Sequence, residues 1–365
     1  MNINGQAWRT IWLEEGGRSV GVIDQTRLPH QFQTRSLRRW QDAAEAIATM
    51  VVRGAPLIGV TGAYGLMLAL REDSSDRALA EAFAGLNATR PTAVNLRWAL
   101  ERVRRRVAPL APQERAEAAG AEAAAIAEDD VAMCSAIGDH GLALFQELAA
   151  ARPAEPLRVL THCNAGWLAT VDWGTALAPI YKAHRAGLPV HVWVDETRPR
   201  NQGASLTAYE LGAEGVPHTV IVDNAGGHLM QHGLVDVVIV GSDRTTRQGD
   251  VCKKIGTYLK ALAARDNGVP FVVTLPASTI DWSMADGVAE VPIEARDASE
   301  VTHISGRGPA GEITTVQLTP AGTAAFNPAF DVTPARLVTL LITERGVTPA
   351  TEEGLRALYG DPSPN

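Results

Sequence analysis

The second half of the chain repeats short apolar segments that are separated by longer stretches with a helical pattern. Five segments rich in Val and Ile cover residues 157–160, 190–194, 219–222, 235–240 and 269–275. Uninterrupted apolar runs of this length are typical of strands that are buried on both faces. Most of them are spaced by roughly 30 residues, the length of a βαβ unit. The pattern therefore predicts an α/β fold with a doubly wound parallel sheet.

The first part of the chain predicts a different kind of structure. Ala, Leu, Arg and Glu dominate up to residue 152 and β-branched runs are scarce, so this region is expected to be mainly helical. Short alternating stretches near the N-terminus predict a small sheet. Prolines at positions 153 and 156 then break the helical pattern. We expect a mainly helical N-terminal domain with a small sheet over residues 1–152, and an α/β domain over residues 153–365.

Charge, cysteine content and hydropathy argue against several classes of protein. The 33 Lys and Arg residues and the 41 Asp and Glu residues give a formal net charge of −8. Nucleic acid is bound by clustered cations, so this acidic total argues against a nucleic-acid-binding protein. Three cysteines without a Cys-x-x-Cys pair favour a reducing compartment, and the first residues lack a signal-peptide pattern, so we expect a cytoplasmic protein. Four glycines and a proline interrupt the long uncharged run over residues 54–70, which predicts a buried helix and no membrane segment.

Polar residues directly follow the five predicted strands. They occupy positions 161–166, 195–199, 223–224, 241–244 and 276–278. Open α/β sheets bind their ligands at the carboxyl ends of the strands. The sequence therefore predicts one cleft that is lined by a thiol, several carboxylates, amides and arginines.

Two residues in this predicted cleft are candidates for chemistry. Cys163 lies between a strand and a Gly-containing turn, where backbone N–H groups would favour a thiolate. Alternatively, Cys163 is a small buried hydrophobe, as most free cysteines are. Asp243 follows a later strand and would act as an acid, as a metal ligand or as the ion-pair partner of Arg244. These alternatives stay open at the level of the residues alone.

Basic and amide residues near two predicted helix starts are candidates for binding an anion. Arg200 and Gln202 precede a predicted helix, where side chains and backbone N–H groups would meet an anion; ordinary surface arginines are the alternative. Lys253 and Lys254 lie close to another helix start, where cations are unfavourable with the helix dipole. A bound phosphate would resolve that conflict.

Six short motifs occur in a fixed order along the chain. They are RGAP at 53–56, RPTAVNL at 90–96, THCNAG at 161–166, DETRPR at 195–200, GDV at 249–251 with KIGT at 254–257, and NPAFDVTP at 327–334. Together they resemble the methylthioribose-1-phosphate isomerase family, and the resemblance covers the chain from about residue 20 to residue 347. Six ordered motifs make the resemblance specific, although any single motif would not.

The resemblance implies a fold, a reaction and a partner. A largely helical N-terminal domain would be joined to a Rossmann-like domain, and the protein would work as a homodimer. The family converts 5-methylthioribose 1-phosphate to 5-methylthioribulose 1-phosphate in methionine salvage, an aldose–ketose isomerisation without metal or other cofactor. The implied partner is therefore a small sugar phosphate, with no nucleic acid and no membrane.

The resemblance also implies roles for individual residues in or near these motifs. Asp243, protonated in the cleft, would be the proton donor, and Cys163 would assist the transition state. Substrate binding would fall to Arg53, Gly54, Ala55, Arg90, Gln202 and Lys254, with Lys253 at the neighbouring binding position. The resemblance leads us to expect Asn where Lys253 stands. The added ammonium would tighten the hold on phosphate or admit 5-deoxyribose 1-phosphate as a second substrate.

Two other functions occur in the same superfamily. They are ribose-1,5-bisphosphate isomerases and the non-catalytic regulatory subunits of the initiation factor 2B exchange complex. The motif at Arg53 favours the methylthioribose branch, and a regulatory subunit would have no need of both Cys163 and Asp243. The sequence does not decide whether hydrogen moves from C2 to C1 as a proton, through an enol, or as a hydride.

Overall fold

The computed structural model describes residues 1–3, 5–90 and 93–360, and its N-terminal part is mainly helical. The helices are α1 (Trp40–Ala48), α2 (Ala55–Glu72), α3 (Asp76–Thr89), α4 (Val94–Val107) and α5 (Pro112–Ala150). The strands are β1 (Asn2–Ile3), β2 (Gln6–Ala7), β3 (Ile11–Leu13), β4 (Val20–Ile23) and β5 (Thr34–Leu37), of which the last three form one antiparallel sheet. The predicted helical region with a small sheet is confirmed. Pro91 and Thr92, in the second motif, lie outside the described residues.

Helix α2 is buried along almost its whole length. Glycines allow helix α4 to come close to it, since a Cβ at Gly59 would lie 2.8 Å from the carbonyl oxygen of Asn95. A Cβ at Gly62 would likewise lie 2.5 Å from Leu96 Cδ1. The buried helix that was predicted for the uncharged run is thus confirmed. None of the helices within the described ranges is both long enough and apolar enough to cross a membrane.

The C-terminal part contains thirteen strands within the described residues. In chain order they are β6 (Leu157–Thr161), β7 (Val190–Asp195), β8 (His218–Ile221), β9 (Val237–Gly241), β10 (Arg244–Thr246), β11 (Val251–Lys254), β12 (Phe271–Thr274), β13 (Ile280–Asp281), β14 (His303–Arg307), β15 (Ile313–Gln317), β16 (Phe330–Thr333), β17 (Leu340–Thr343) and β18 (Gly346–Thr348). The helices are α6 (Ala178–Arg185), α7 (Ala208–Ala213), α8 (Ala225–Gln231), α9 (Thr257–Asp266), α10 (Gly287–Glu290), α11 (Ser299–Thr302) and α12 (Glu352–Tyr359).

The main sheet has the strand order of a Rossmann fold. Six parallel strands lie in the order β8-β7-β6-β9-β12-β17, and β18 adds an antiparallel strand at one edge. Counted along the chain, this is the order 3-2-1-4-5-6 of doubly wound dinucleotide-binding sheets. The five apolar segments became β6, β7, β8, β9 and β12, so the predicted Rossmann-like sheet is confirmed.

A second sheet, which the sequence did not predict, follows directly on the carboxyl end of β9. Its strands lie in the order β13-β10-β11-β16. Lys253 and Lys254 lie on β11, and helix α9 begins three residues later at Thr257. Strands β10 and β11 contain too few apolar residues to produce the alternating or continuous pattern of a strand.

The change from helix to sheet occurs at the predicted place. Helix α5 ends at Ala150, and β6 begins at Leu157. The division into domains over residues 1–152 and 153–365 agrees with this change of structure and stays a prediction.

Candidate active site

The candidate site lies where the order of the parallel strands reverses. Strands β6 and β9 are neighbours in the sheet, but the chain continues from them in opposite directions. Ligands of open α/β sheets bind in the crevice at such a point. Cys163 follows β6 and Asp243 follows β9, so both predicted catalytic residues lie at this crevice. The two turns touch, since a Cβ at Gly241 would lie only 2.7 Å from Ala165 Cβ.

The turn that carries Cys163 has an unusual backbone and is held from behind. Cys163 has a φ of 65°, which is uncommon for a residue other than glycine. Its N–H donates to Thr197 Oγ1 over 2.8 Å, and its carbonyl accepts from Thr207 Oγ1 over 2.7 Å. Thr197 also has a positive φ, of 66°. Backbone strain that the surroundings hold in place is typical of functional sites.

A buried carboxylate, Glu210, holds the other side of the same turn. It accepts hydrogen bonds from the N–H groups of Trp167 and Leu168 over 2.8 and 3.0 Å. The Tyr181 hydroxyl and the Asn164 amide donate to it over 2.7 and 2.8 Å. Burial raises the pKa of Glu210 to about 7, although these hydrogen bonds oppose the shift. Glu210 therefore fixes the residues that follow Cys163.

Asp243 forms an ion pair with a residue of the neighbouring strand. Its Oδ2 lies 3.0 Å from Lys253 Nζ, and its N–H donates to the Cys252 carbonyl over 3.0 Å. Arg244 reaches Asp281, with 3.4 Å between Nη1 and Oδ2. Of the alternatives open at the sequence level, the structure thus shows Asp243 in an ion pair, but with Lys253.

The charges around Asp243 decide its protonation in the free site. Burial alone would raise the pKa of Asp243, but the ammonium groups of Lys253 and Lys254 outweigh burial and hold the pKa below its usual value. Burial lowers the pKa of Lys254, whereas Asp243 and Cys163 overcome burial at Lys253 and raise its pKa. The free site therefore favours an ionised Asp243, in contrast to the protonated residue expected from the sequence.

The N-terminal part contributes a guanidinium to the crevice. Arg53 is only 6% exposed, and its Nη2 donates to the carbonyl and Oδ1 of Asn164 over 3.1 and 2.6 Å. Gly54 has a φ of 97°, and a Cβ there would lie 2.4 Å from the carbonyl oxygen of Ala169. Only glycine fits this close contact. Ala55 then begins helix α2, so the first motif joins both parts of the chain.

Three of the predicted binding residues each have one buried polar atom that makes no hydrogen bond to the described residues. Within the described part of the chain, Arg53 Nε, Arg90 Nε and Gln202 Oε1 are buried without a hydrogen bond. Buried polar groups are normally paired, so these three atoms are free to hydrogen-bond a polar ligand. A cavity of about 530 Å³ lies against Arg53, Gln202 and Arg200. Cys163 and Asp243 are not among its lining residues, so we interpret the cavity as the outer part of the site.

A chain of alternating charges extends from the wall of this cavity, where Arg200 and Glu300 lie. Arg90 and Arg296 both pair with Glu294 over 2.9 Å, and Glu300 pairs with Arg296 over 2.7 Å and with Arg200 over 2.9 Å. Burial would raise the pKa of Glu300, but the two arginines outweigh it and lower the pKa to about 2. Arg200 is thus a paired residue of the cavity wall and not a free surface arginine.

A second group of ionisable residues lies beside the crevice. Ligand atoms of His162, Asp195 and Asp223 lie within 4.8 Å of one another, an arrangement that metal sites also have. Here, however, Lys260 Nζ lies 2.5 Å from Asp195 Oδ2. An ammonium therefore already supplies the positive charge that a metal would bring.

Some residues of the site carried no usable signal in the sequence. Glu210 and Lys260 are single charged residues within helical patterns, which usually means a solvated helix face. His162, Asp195 and Thr197 lie in the quoted motifs, but no role could be assigned to them. Their functions depend on contacts between distant segments, which periodicity does not report.

Comparison with known proteins gives relatives over the whole chain. A protein of Methylocella silvestris named methylthioribose-1-phosphate isomerase is 66% identical over 360 residues, which are 98% of this chain and 98% of that protein. The crystal structure of 5-methylthioribose 1-phosphate isomerase from Pyrococcus horikoshii matches with a TM-score of 0.82 and 37% identity, covering 97% of this chain and 96% of that one.

A third relative carries a different name. The crystal structure described as translation initiation factor eIF-2B, subunit delta, from A. fulgidus matches with a TM-score of 0.78 and 38% identity, covering 96% of this chain and 99% of that one. The sequence profile of the Initiation factor 2 subunit family matches residues 51–350. The chain therefore belongs to the Initiation factor 2 subunit family and, within it, to the methylthioribose-1-phosphate isomerases.

Proposed function

We propose that this protein converts 5-methylthio-D-ribose 1-phosphate to 5-methylthio-D-ribulose 1-phosphate, an isomerisation in methionine salvage. The main support is the grouping of Cys163, Asp243 and Lys253 at the reversal point of the sheet, in a chain 66% identical to a protein named for this reaction. A thiol, a carboxyl group and ammonium groups in one crevice suit acid–base chemistry on a sugar phosphate.

Phosphate binding is the first step that the residues support. Lys254 is 7% exposed, and its Nζ lies 4.6 Å from the centre of the Phe330 ring. Burial lowers its pKa, and a phosphate dianion beside it would stabilise the charged form. The unpaired Nε atoms of Arg53 and Arg90 would supply further donors. Arginine and lysine together therefore form the proposed phosphate-binding group.

Ring opening requires a general acid. An aldose 1-phosphate cannot open to a free aldehyde while its anomeric oxygen carries phosphate, so the ring C1–O bond must break and the ring oxygen needs a proton. Asp243 would supply it. Phosphate bound at Lys253 and Lys254 would offset the charges that lower the pKa of Asp243. Burial would then dominate and allow Asp243 to take up a proton as substrate binds.

Hydrogen transfer from C2 to C1 is the second chemical step. In the enol route, the Cys163 thiolate removes the proton from C2 and, after exchange with solvent, the thiol delivers a proton to C1. As the ketone forms, the C2 hydroxyl loses its proton to the carboxylate that ring opening left on Asp243, which restores the acid. In the alternative route, hydrogen moves directly as a hydride. Isomerisation in heavy water separates them, because an exchanging enol places deuterium at C1 and a hydride shift leaves C1 without deuterium. We expect deuterium at C1, and full retention of substrate hydrogen would contradict the role of Cys163 as the base.

The direct test is an assay of the purified protein with three compounds. We expect the ketose product from 5-methylthioribose 1-phosphate, detected by NMR, and no product from ribose 1,5-bisphosphate. Turnover of the bisphosphate alone would replace the proposal by the related isomerase activity. Binding of the sugar phosphates without turnover would indicate a regulatory protein. 5-Deoxyribose 1-phosphate, the third compound, measures the tolerance at position 5.

Replacing Lys253 should change the pH dependence of the reaction. Lys253 lowers the pKa of Asp243, and kcat/KM falls with rising pH once a required acid in the free enzyme ionises. Lys253→Asn should therefore raise the pKa of Asp243 and move this decline of kcat/KM, which the lowered pKa places in the acid range, to higher pH. Lys182→Asn, at a lysine paired with Asp139, is the matched control and should leave the profile unchanged. An unmoved profile in Lys253→Asn would exclude Asp243 as the titrating acid.

The same variant tests the selectivity hypothesis for Lys253. If the extra ammonium sets the tolerance at position 5, the ratio of kcat/KM for the methylthio and deoxy sugars should differ between the wild type and Lys253→Asn. An equal ratio in both proteins would leave Lys253 with a role in charge balance alone.

We also propose that the protein is a cytoplasmic homodimer, as the family resemblance implies. All three cysteines are free, which agrees with a reducing compartment. The dimer can be tested by light scattering on the purified protein. A monomer that retains full isomerase activity at assay concentration would contradict it.

A further inference from the structure

A buried ionic group lies beside the proposed site, and the proposed reaction does not use it. His162 Nδ1 lies 2.8 Å from Asp195 Oδ2, and Lys260 Nζ lies 2.5 Å from the same oxygen. The three side chains are 1%, 0% and 5% exposed. Burying ionised groups is costly even when they are paired, so stability alone does not explain this arrangement.

His162 connects the two turns that carry proposed site residues. It precedes Cys163 directly in the chain, and its Nε2 lies 2.9 Å from the carbonyl oxygen of Ile255, the residue after Lys254. A carbonyl oxygen only accepts hydrogen bonds, so Nε2 carries a proton. The contact to Asp195 then contains the second proton, on the ring or on the carboxyl group. The ring is thus fixed at both nitrogens.

The turn at Ile255 is shaped to receive the ring. Gly256 has a φ of 99°, and a Cβ there would lie 3.3 Å from His162 Cε1, which is tighter than an ordinary contact. On its other side, the turn is held by Asp331, which accepts from the N–H groups of Gly256 and Tyr258 over 2.7 and 3.2 Å. The turn that directly follows Lys254 is therefore held by His162 on one side and by Asp331 on the other.

We propose that His162 is a positioning residue, which sets the separation between the Cys163 thiol and the Lys254 ammonium through its hydrogen bond to the Ile255 carbonyl. Asp195 and Lys260 orient the ring, and neither is required to contact substrate. The inference rests on the proposed function, because it assigns Lys254 to the phosphate and Cys163 to the reacting carbons. Without the bond, the phosphate and the thiol would no longer be held at a fixed distance.

Two substitutions distinguish the hydrogen bond of Nε2 from that of Nδ1. A Gln side chain places its amide nitrogen near the position of Nε2, and an Asn side chain places it near the position of Nδ1. His162→Gln can keep the bond to Ile255, and His162→Asn cannot. We expect His162→Asn to raise the inhibition constant of inorganic phosphate by about tenfold, which is the effect of one lost hydrogen bond. His162→Gln should change this constant less than threefold, which is roughly half that free energy.

Turnover of 5-methylthioribose 1-phosphate gives the second readout. In His162→Asn we expect KM to rise and kcat to fall as well, since both the phosphate and the thiol depend on the bond. The matched controls are the Gln and Asn variants of His191, whose Nε2 lies 3.1 Å from Thr219 Oγ1. Both variants should leave KM and kcat unchanged. Equal phosphate inhibition in the Gln and Asn variants at His162 would overturn the proposal.

If the variants fail to fold, a measurement on the unmodified protein still tests the proposal. The ¹⁵N resonance of His162 Nε2 should shift on titration with inorganic phosphate, with the same midpoint as the inhibition. A resonance that stays unchanged at saturating phosphate would overturn the positioning role. If the protein binds phosphate but shows no isomerase activity, the proposed function fails. The phosphate dissociation constants of the Gln and Asn variants, measured by calorimetry, then replace the inhibition constants and still decide the role of His162. If it turns over the sugar without binding phosphate, the inference fails.

Discussion

Asp243→Asn should lower kcat by about 10²- to 10⁴-fold, the contribution typical of a general acid. The amide keeps the size of the carboxyl group but cannot transfer a proton to the ring oxygen. The KM should stay within about fivefold or fall, because the carboxylate that pairs with Lys253 at 3.0 Å no longer competes with phosphate. Steady-state kinetics with 5-methylthioribose 1-phosphate measures both constants.

The control for this variant lies next to the other end of strand β9. Asp236 directly precedes β9 at its amino end, pairs with Arg158 over 2.7 Å, and lies at the opposite edge of the sheet from Asp243. Asp236→Asn should lower stability without changing kcat. If Asp243→Asn retains more than about a tenth of the wild-type kcat, another group donates the proton, since general acids contribute at least about 10².

Cys163→Ser should reduce kcat by about 10²- to 10⁴-fold, because the hydroxyl is a poor substitute for a thiolate as proton acceptor. The change is nearly isosteric, and the N–H and carbonyl of residue 163 keep their bonds to Thr197 and Thr207. Phosphate inhibition should therefore change little. A loss of kcat without a loss of phosphate affinity would assign Cys163 to the hydrogen-transfer step.

Cys134 provides the comparison for this substitution. It is fully buried in helix α5, where burial raises the pKa of its thiol well above the usual value. Cys134→Ser should affect thermal stability and leave kcat unchanged. Retention of most activity in Cys163→Ser would favour the hydride route, and the heavy-water experiment should then show retention of substrate hydrogen at C1.

Five strands of the main sheet could be predicted from the sequence because they form short, continuous apolar runs; most of them are buried, although β8 at the edge is partly exposed. Each of the five apolar segments became a parallel strand, and the polar residues behind them meet at the reversal point. The second sheet gave no such signal, because β10 and β11 consist largely of polar residues that are buried against the site. The prediction for Lys253 and Lys254 was therefore correct in placing them before a helix but missed the strand on which they lie.

The protonation of Asp243 shows where sequence reasoning reached its limit. Asp243 and Lys253 are ten residues apart in the chain, and they meet because β10 and β11 form a hairpin, with Arg244 opposite Cys252. A carboxyl group in a cleft suggests a raised pKa, but the hairpin brings an ammonium to it and reverses the direction. The charge of this acid is thus a property of the tertiary structure, as are the contacts of Glu210 and His162.

The burial of the lysines has a consequence for chemical labelling. The chain contains four lysines, and Lys253, Lys254 and Lys260 are each at most 7% exposed. Lys182 has a side chain that is 13% exposed, and the N-terminal amine is paired with Asp172 and almost fully covered. Burial also lowers the pKa of Lys260 to about 8, which leaves more of its amine unprotonated. An amine-selective reagent therefore has almost no surface background on this protein, and the extent of its reaction would report opening of the crevice.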